Sequence, residues 1–202
     1  METPSAPQHL DRFERAIRRF DEENAKDPHL LTQGDETGPR ELIYARWLTE
    51  WVLRIEPQAS EGLRLAARAA HLCRWTIARD AYPLTRAGYL RWRQDLKAFH
   101  AEKAASVLQE VGYDSATVAH VQALISKAAF PADPESRVLE DALCLVFLER
   151  QFADLASRSP EEKIVNALQK TWKKMTPQAR EAAKQLTYSE KEKVLLEKAH
   201  LE

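Results

Sequence analysis

Apolar residues recur at i, i+3, i+4 and i+7 along almost the whole chain, and no stretch alternates apolar and polar positions as a half-buried strand would. That spacing predicts a succession of helices. The first covers about 10–25, with Leu10, Phe13, Ile17 and Phe20 on one face, and Asp27-Pro28 stops it. A loop through Gly34 and Gly38 leads to Pro39, which suits the opening of a second helix over about 40–55, with Leu42, Ile43, Trp47, Trp51 and Val52 inward. An alanine-rich helix follows from Ser60 to about Arg74, then an irregular segment, 75–85, interrupted by Pro83. A long helix over about 88–110 closes at Gly112, and Asp114 or Ser115 caps the next, which ends before the turn at 131–134. The most hydrophobic helix, about 134–156, is expected at the centre of a bundle. Ser159-Pro160-Glu161-Glu162 starts another that ends near Met175, Thr176-Pro177 opens a short one, and 188–202 reads as a charged helix, solvated or frayed. The expected fold is all-α, a single-domain multi-helix bundle, preceded by a disordered segment over 1–9.

Composition narrows the class further. The 202 residues carry 30 basic and 31 acidic side chains, so affinity for nucleic acid or a membrane surface would have to be local. Five glycines are too few for a glycine-rich phosphate cradle, and neither a Gly-x-Gly-x-x-Gly nor a Walker loop, a Gly-x-Ser-x-Gly elbow or a Cys-x-x-Cys occurs. Cys73 and Cys144 stand beside leucines in runs that read as buried helix, as packing thiols do. Residues 1–9 are polar and hold no apolar leader segment, and the most apolar run, Val138 to Leu148, contains Glu140 and Asp141 and is too short to span a bilayer. The expectation is a cytoplasmic protein without membrane contact.

Three groups of residues bear chemistry. His71 ends the alanine-rich helix after Arg68-Ala69-Ala70, where small side chains let a neighbour approach closely; an ordinary core or capping histidine competes with a metal ligand there. His100 has Leu96 and Ala104 four residues to either side and so faces the apolar side of the long helix. Glu140 and Asp141 lie in the most apolar helix, where an unpaired carboxylate is too costly to persist. At least one of them is expected to meet a histidine, an arginine or a metal, with a buried ion pair as the alternative. Between Glu61 and Lys103, nine basic residues oppose four acids, interleaved with Trp75, Tyr82, Tyr89 and Trp92. Arginines beside aromatic rings suit phosphates, and Arg74, Arg93 and Arg46 are the candidates for holding one.

The blocks Glu41-Leu-Ile-Tyr-Ala-Arg-Trp-Leu-Thr-Glu-Trp51, Ala70-His-Leu-Cys-Arg-Trp75, Ala87-Gly-Tyr-Leu-Arg-Trp-Arg93, His100-Ala-Glu-Lys-Ala104 and Leu139-Glu-Asp-Ala142 resemble the DUF4202 family, which has no assigned reaction. The resemblance implies a helical domain over 10–175 followed by a charged helical extension, 176–202. A more distant similarity is to the helical HD-domain phosphohydrolases, in which a His-Asp pair, a later histidine and a final aspartate hold metal. By order, His71, His100 and Asp141 resemble these positions, while Leu72 stands where the paired aspartate belongs and 44–47 supplies no first histidine. An HD-domain-like fold would place one divalent ion on His71, His100 and Asp141, with Glu140 or Glu41 added. The expected function is a metal-dependent phosphohydrolase acting on a small phosphorylated metabolite or nucleotide. The alternative is an inactive HD-like sensor that binds an anionic ligand. A nucleic-acid-binding module ranks last, because it leaves the histidines and buried acids unexplained.

Overall fold

The computed structural model describes residues 11–34 and 36–200, so the segment expected to be disordered, 1–9, lies outside the described residues. About 72% of the described residues are helical, and the fold is all-α with ten α-helices among them. In chain order these are α1 (Arg12–Asn24), α2 (Arg40–Ile55), α3 (Glu61–Ala69), α4 (Arg86–Glu110) and α5 (Ser115–Ser126). The second half adds α6 (Pro134–Val146), α7 (Phe152–Arg158), α8 (Glu161–Lys174), α9 (Pro177–Lys184) and α10 (Glu190–Lys198). None of the described helices is long and apolar enough to cross a membrane. The chain forms two compact units, one from residues up to Arg46 with Ser60–Ala128, the other from Trp47–Ala59 with Ala129 onward. The bundle is therefore built as two bodies rather than one.

Unit 1 packs α1, α3, α4 and α5 together, with Phe20, Leu63, Leu65, Leu72, Leu108 and Leu124 almost fully buried. Each helix begins where its side chains satisfy free backbone N–H groups: Asp11, Ser60, Thr85 and Asp114 each accept from the residue three positions on. Asp21 on α1 takes both Nε and Nη2 of Arg68 on α3, at 2.6 and 2.7 Å, a forked pair that fixes the two helices against each other. The loop before α2 is instead a short antiparallel hairpin, β1 (Leu30–Gln33) and β2 (Glu36–Pro39), paired from Leu30 with Pro39 to Gln33 with Glu36. Gly34, at φ +60°, supplies the left-handed residue its turn requires.

At Gly88, three positions into α4, a Cβ would collide with the carbonyl oxygen of Pro83. Alanine in a helix normally gains up to about 1 kcal/mol over glycine. Here the contact is with backbone that cannot swing aside, so Gly88→Ala is expected to destabilise the protein by about 2 kcal/mol. A lower urea midpoint for G88A checks it.

Unit 2 is organised round α6, which packs on α8 and α9, and Leu139, Ala142, Leu145 and Val146 are buried from it. The single helix expected over 134–156 is broken: a π-helical turn, Phe147–Gln151, separates α6 from α7. That turn carries Glu149, whose carboxylate accepts from the Trp51 indole at 2.9 Å and from Arg150 Nε at 3.0 Å. The final stretch is not a loose solvated helix. Ser189 and Glu192 form a reciprocal cap, and α10 buries Leu195 against the rest of the unit while packing on α8. Residues from 176 onward are thus built into unit 2. Both cysteines are buried, and no disulfide is formed among the described residues.

Candidate functional site

The site is built where α3 stops. The sequence reads as helix to about Arg74, but α3 ends at Ala69, and residues 70–73 form a turn that delivers Arg74 into a short 3-10 segment, Arg74–Thr76. Cys73 is left-handed there, at φ +55°, a conformation that costs a residue with a Cβ about 1 kcal/mol. The end of α1 holds it: the Cys73 N–H donates to the buried Asn24 side chain at 3.0 Å. The Thr76 hydroxyl donates to the Cys73 carbonyl at 2.9 Å, and the Trp92 indole on α4 donates to the Ile77 carbonyl at 2.9 Å. The turn that carries His71 and Arg74 is therefore fastened to α1 on one side and α4 on the other.

His71 and His100 come together. Their ring centroids are 5.8 Å apart, and Tyr44 of α2 stacks flat on His71 at 4.4 Å, with 12° between the planes. His100 is 2% exposed, whereas the side chain of His71 is 25% exposed, so the pair runs from solvent inward. The Nδ1 of His100 lies 2.8 Å from the Leu72 carbonyl oxygen. A carbonyl only accepts, so that nitrogen carries the proton and Nε2 keeps a bare lone pair. Nε2 is buried and meets no hydrogen-bond partner among the described residues. Burial and the neighbouring His71 push the His100 pKa down to about 3. His71 is held well below the ordinary imidazole value, first by burial and then by the positive charges of Arg74, Lys127 and Arg93. Both rings are neutral at physiological pH.

Glu41, 4% exposed, places Oε2 3.6 Å from His71 Nδ1. Burial raises its pKa, against the opposing pull of Arg74 and Arg40. Its own backbone N–H donates at 3.1 Å to buried Asp27, which also accepts from the backbone and ring of His29. Asp27, read from the sequence only as the stop of α1, thus caps the start of α2 and sets the register of Glu41 and Tyr44, one turn apart. Arg74 is partly buried over the face of Trp92, 4.8 Å from its centroid, and desolvation lowers its pKa. Arg93 lies on α4 two turns before His100, exposed and 5.9 Å over Tyr89. Lys127 closes α5 in the left-handed conformation, φ +61°, where glycine or asparagine is usual.

The other expected site residues stand elsewhere. Arg46 is exposed on α2, about 140° round the helix from Glu41. Glu140 and Asp141 belong to unit 2. Glu140 pairs with Lys174 at 3.0 Å. Asp141 accepts from the Thr176 backbone N–H at 2.9 Å and its hydroxyl at 2.5 Å. Among the described residues, no group of three or more His, Cys, Asp or Glu side chains is placed to hold a metal ion. Two contributors, Tyr44 and Lys127, have no signal in the sequence. Tyr44 is one aromatic among several on α2, and Lys127 reads as an ordinary surface lysine.

A family profile described as "Domain of unknown function (DUF4202)" matches residues 14–196. The chain belongs to that family. No curated protein and no solved structure matches it. In this DUF4202 member, four of the five sequence blocks that carry the resemblance supply the cluster: Glu41 and Tyr44 from the first, His71 and Arg74 from the second, Arg93 from the third and His100 from the fourth.

Proposed function

We propose that unit 1 binds a small phosphorylated ligand at the cluster of His71, His100, Arg74, Arg93 and Lys127. The observation that carries this is the charge balance round His71. Arg74, Lys127 and Arg93 each disfavour a proton on this partly exposed imidazole, whose Nδ1 lies 3.6 Å from Glu41 Oε2. A phosphate would be drawn to these cations and take forked hydrogen bonds from Arg74. A charge-assisted hydrogen bond contributes about 1.5–3 kcal/mol, so Arg74→Met is expected to weaken binding of inorganic phosphate roughly ten- to a hundredfold. Titration calorimetry on the full chain measures it. Wild-type protein that binds neither phosphate nor any phosphate monoester at millimolar concentration would overturn the reading.

A second reading, an HD-like phosphohydrolase using one divalent ion, draws support from the two neutral imidazoles. Neutral is the state in which histidine ligates a metal, with the other ring nitrogen on a carbonyl as in His100. His71 and His100 would hold the ion with Glu41 beside them, and it would polarise a phosphoryl oxygen. Stoichiometric metal in protein purified without chelator, together with phosphate release from a monoester, would establish this reading over simple binding.

A further inference from the structure

The two halves of α4 differ in what covers them. In the second half, His100, Ala101, Ala104 and Leu108 are buried along one face. Stepped back by helical turns, the same face continues as Lys97, Arg93, Leu90 and Arg86, and there it lies open: Arg86, Leu90 and Arg93 are exposed. The opposite side of this first half rests on residues 77–83. The Trp92 indole donates to the Ile77 carbonyl, and the Tyr82 hydroxyl donates to Asp95 at 2.9 Å. Leu84, in the bend just ahead of the helix, is 89% exposed, Leu90 is 54% exposed, and Tyr89 beside it is 41% exposed. Residues 79–97 carry five basic side chains against Asp80 and Asp95. Arg91 pairs with Asp95 at 3.9 Å, whereas Arg86, Arg93 and Lys97 stand in no ion pair among the described residues.

We propose that this open face of α4 is a peripheral contact for an anionic lipid bilayer. Leu84 and Leu90 enter the boundary between headgroups and acyl chains, while Arg86, Arg93 and Lys97 meet the acidic headgroups. Charge and apolar exposure together select this partner. Cations free of acids call for an anionic surface, and projecting leucines call for hydrocarbon. A bilayer of acidic lipids offers both and needs no pocket shaped to receive the side chains. The long stems of arginine and lysine lie along the lipid while their charges stay at the headgroups, the level at which a tyrosine such as Tyr89 also sits well. A nucleic-acid strand suits the same charges less well, because the rings on which its bases would stack already carry guanidinium groups. Arg79 and Arg93 each lie 5.9 Å over Tyr89, and Arg74 lies 4.8 Å over Trp92. The contact departs from the sequence expectation of no membrane contact, which rests on the lack of a leader or a spanning run. It runs along one helix face and needs no helix able to cross the bilayer, and none of the described helices is long and apolar enough to do so.

The test is flotation of the full chain with vesicles of phosphatidylcholine alone and with vesicles that also contain about 30% phosphatidylserine. Wild-type protein is expected to partition onto the acidic vesicles roughly tenfold more strongly than onto the neutral ones, and added salt is expected to release it. Reversing two charges, in Arg86→Glu with Lys97→Glu, is expected to weaken partitioning by roughly tenfold or more. Leu84→Ser with Leu90→Ser is expected to cost about tenfold as well. Both leucines are exposed, so the serine pair keeps its fold, which an unchanged urea midpoint checks. Leu30→Ser, which removes a leucine of 71% exposure from β1 instead, is expected to leave partitioning within about twofold of wild type. Equal partitioning onto the two kinds of vesicle, none onto either, a serine pair that binds like wild type, or an equal loss in Leu30→Ser overturns the inference. Binding of a single-stranded RNA oligomer that the charge reversals abolish and the serine pair retains makes this a nucleic-acid surface, and that overturns it too. The inference does not rest on the phosphate site, and the serine pair is expected to bind inorganic phosphate as wild type does.

Discussion

Lowering the pH from 7 to 5 is expected to destabilise unit 1 by about 2 kcal/mol per pH unit below pH 6.5, before any carboxylate loses its partner. The sign follows from the two histidines. Their folded pKa values are depressed, that of His100 to about 3, from an ordinary value of 6.5. In the unfolded chain both rings take a proton near pH 6.5, while in the folded one neither does. Acid therefore favours unfolding. The stability is fully present above pH 6.5 and is lost as pH falls towards the folded values, each neutral ring adding up to about 1.4 kcal/mol per unit. Glu41 works the other way, because its raised carboxyl pKa lets the folded state take up a proton first. Its protonation offsets part of the loss as pH falls towards the ordinary carboxyl value of 4.5. Urea titrations at pH 7, 6 and 5, with hydrogen exchange of the α3 and α4 amides as the local readout, measure the slope. In His100→Asn the slope should fall by about half. A wild-type slope near zero would mean that the imidazoles are protonated in the folded state, which would remove the neutral rings that support the one-metal reading.

Much of this fold can be read in advance from local physics, and where reading fails there is a definite cause. The boundaries of α2, α5 and α9 follow from single residues: Pro39 ahead of α2, Asp114 as the cap of α5, and Thr176 with Pro177 opening α9. The hairpin over 30–39 is invisible to periodicity because each strand has four residues and neither has a buried face. The early stop of α3 is imposed from outside the helix, by Asn24 holding Cys73 in a left-handed conformation, which no residue near Cys73 announces. The candidate site divides along the same line. His71 and His100 stand out in the sequence and do meet, His71 from the turn that follows the alanine-rich α3 and His100 from the buried face of α4. Lys127 enters through a strained backbone angle and Tyr44 through helix register, both products of tertiary packing. For Glu140 and Asp141, burial is legible but the partner is not. A carboxylate in an apolar helix must be satisfied, and the sequence does not say whether a lysine, a hydroxyl or a ligand satisfies it.

Asp141 supplies the sharpest separation between a structural acid and a ligand-binding one. Asp141→Ala is expected to cost about 3 kcal/mol of stability while changing phosphate affinity less than twofold. Its two oxygens hold the N-terminus of α9 through one residue. Thr176 donates both its backbone N–H and its hydroxyl to Asp141, and the same hydroxyl oxygen accepts from the Ala179 N–H at 3.3 Å, inside the first turn of α9. The carboxylate thus polarises the hydroxyl that caps the helix, and α9 in turn buries Ala179 and Ala183 against the rest of unit 2. Burial raises the Asp141 pKa while the two bonds from Thr176 pull it back, as expected of a buried carboxylate that is well partnered. Alanine removes both acceptors and leaves an N–H and a hydroxyl to find water. Asparagine keeps one acceptor for the Thr176 N–H, so Asp141→Asn is expected to cost only about 1 kcal/mol. Urea midpoints order the three proteins, and faster exchange of the Ala179 amide in the alanine variant locates the damage at the start of α9. A folded Asp141→Ala protein that has lost phosphate binding, or has lost a metal that the wild type retains, would instead make Asp141 part of the ligand site.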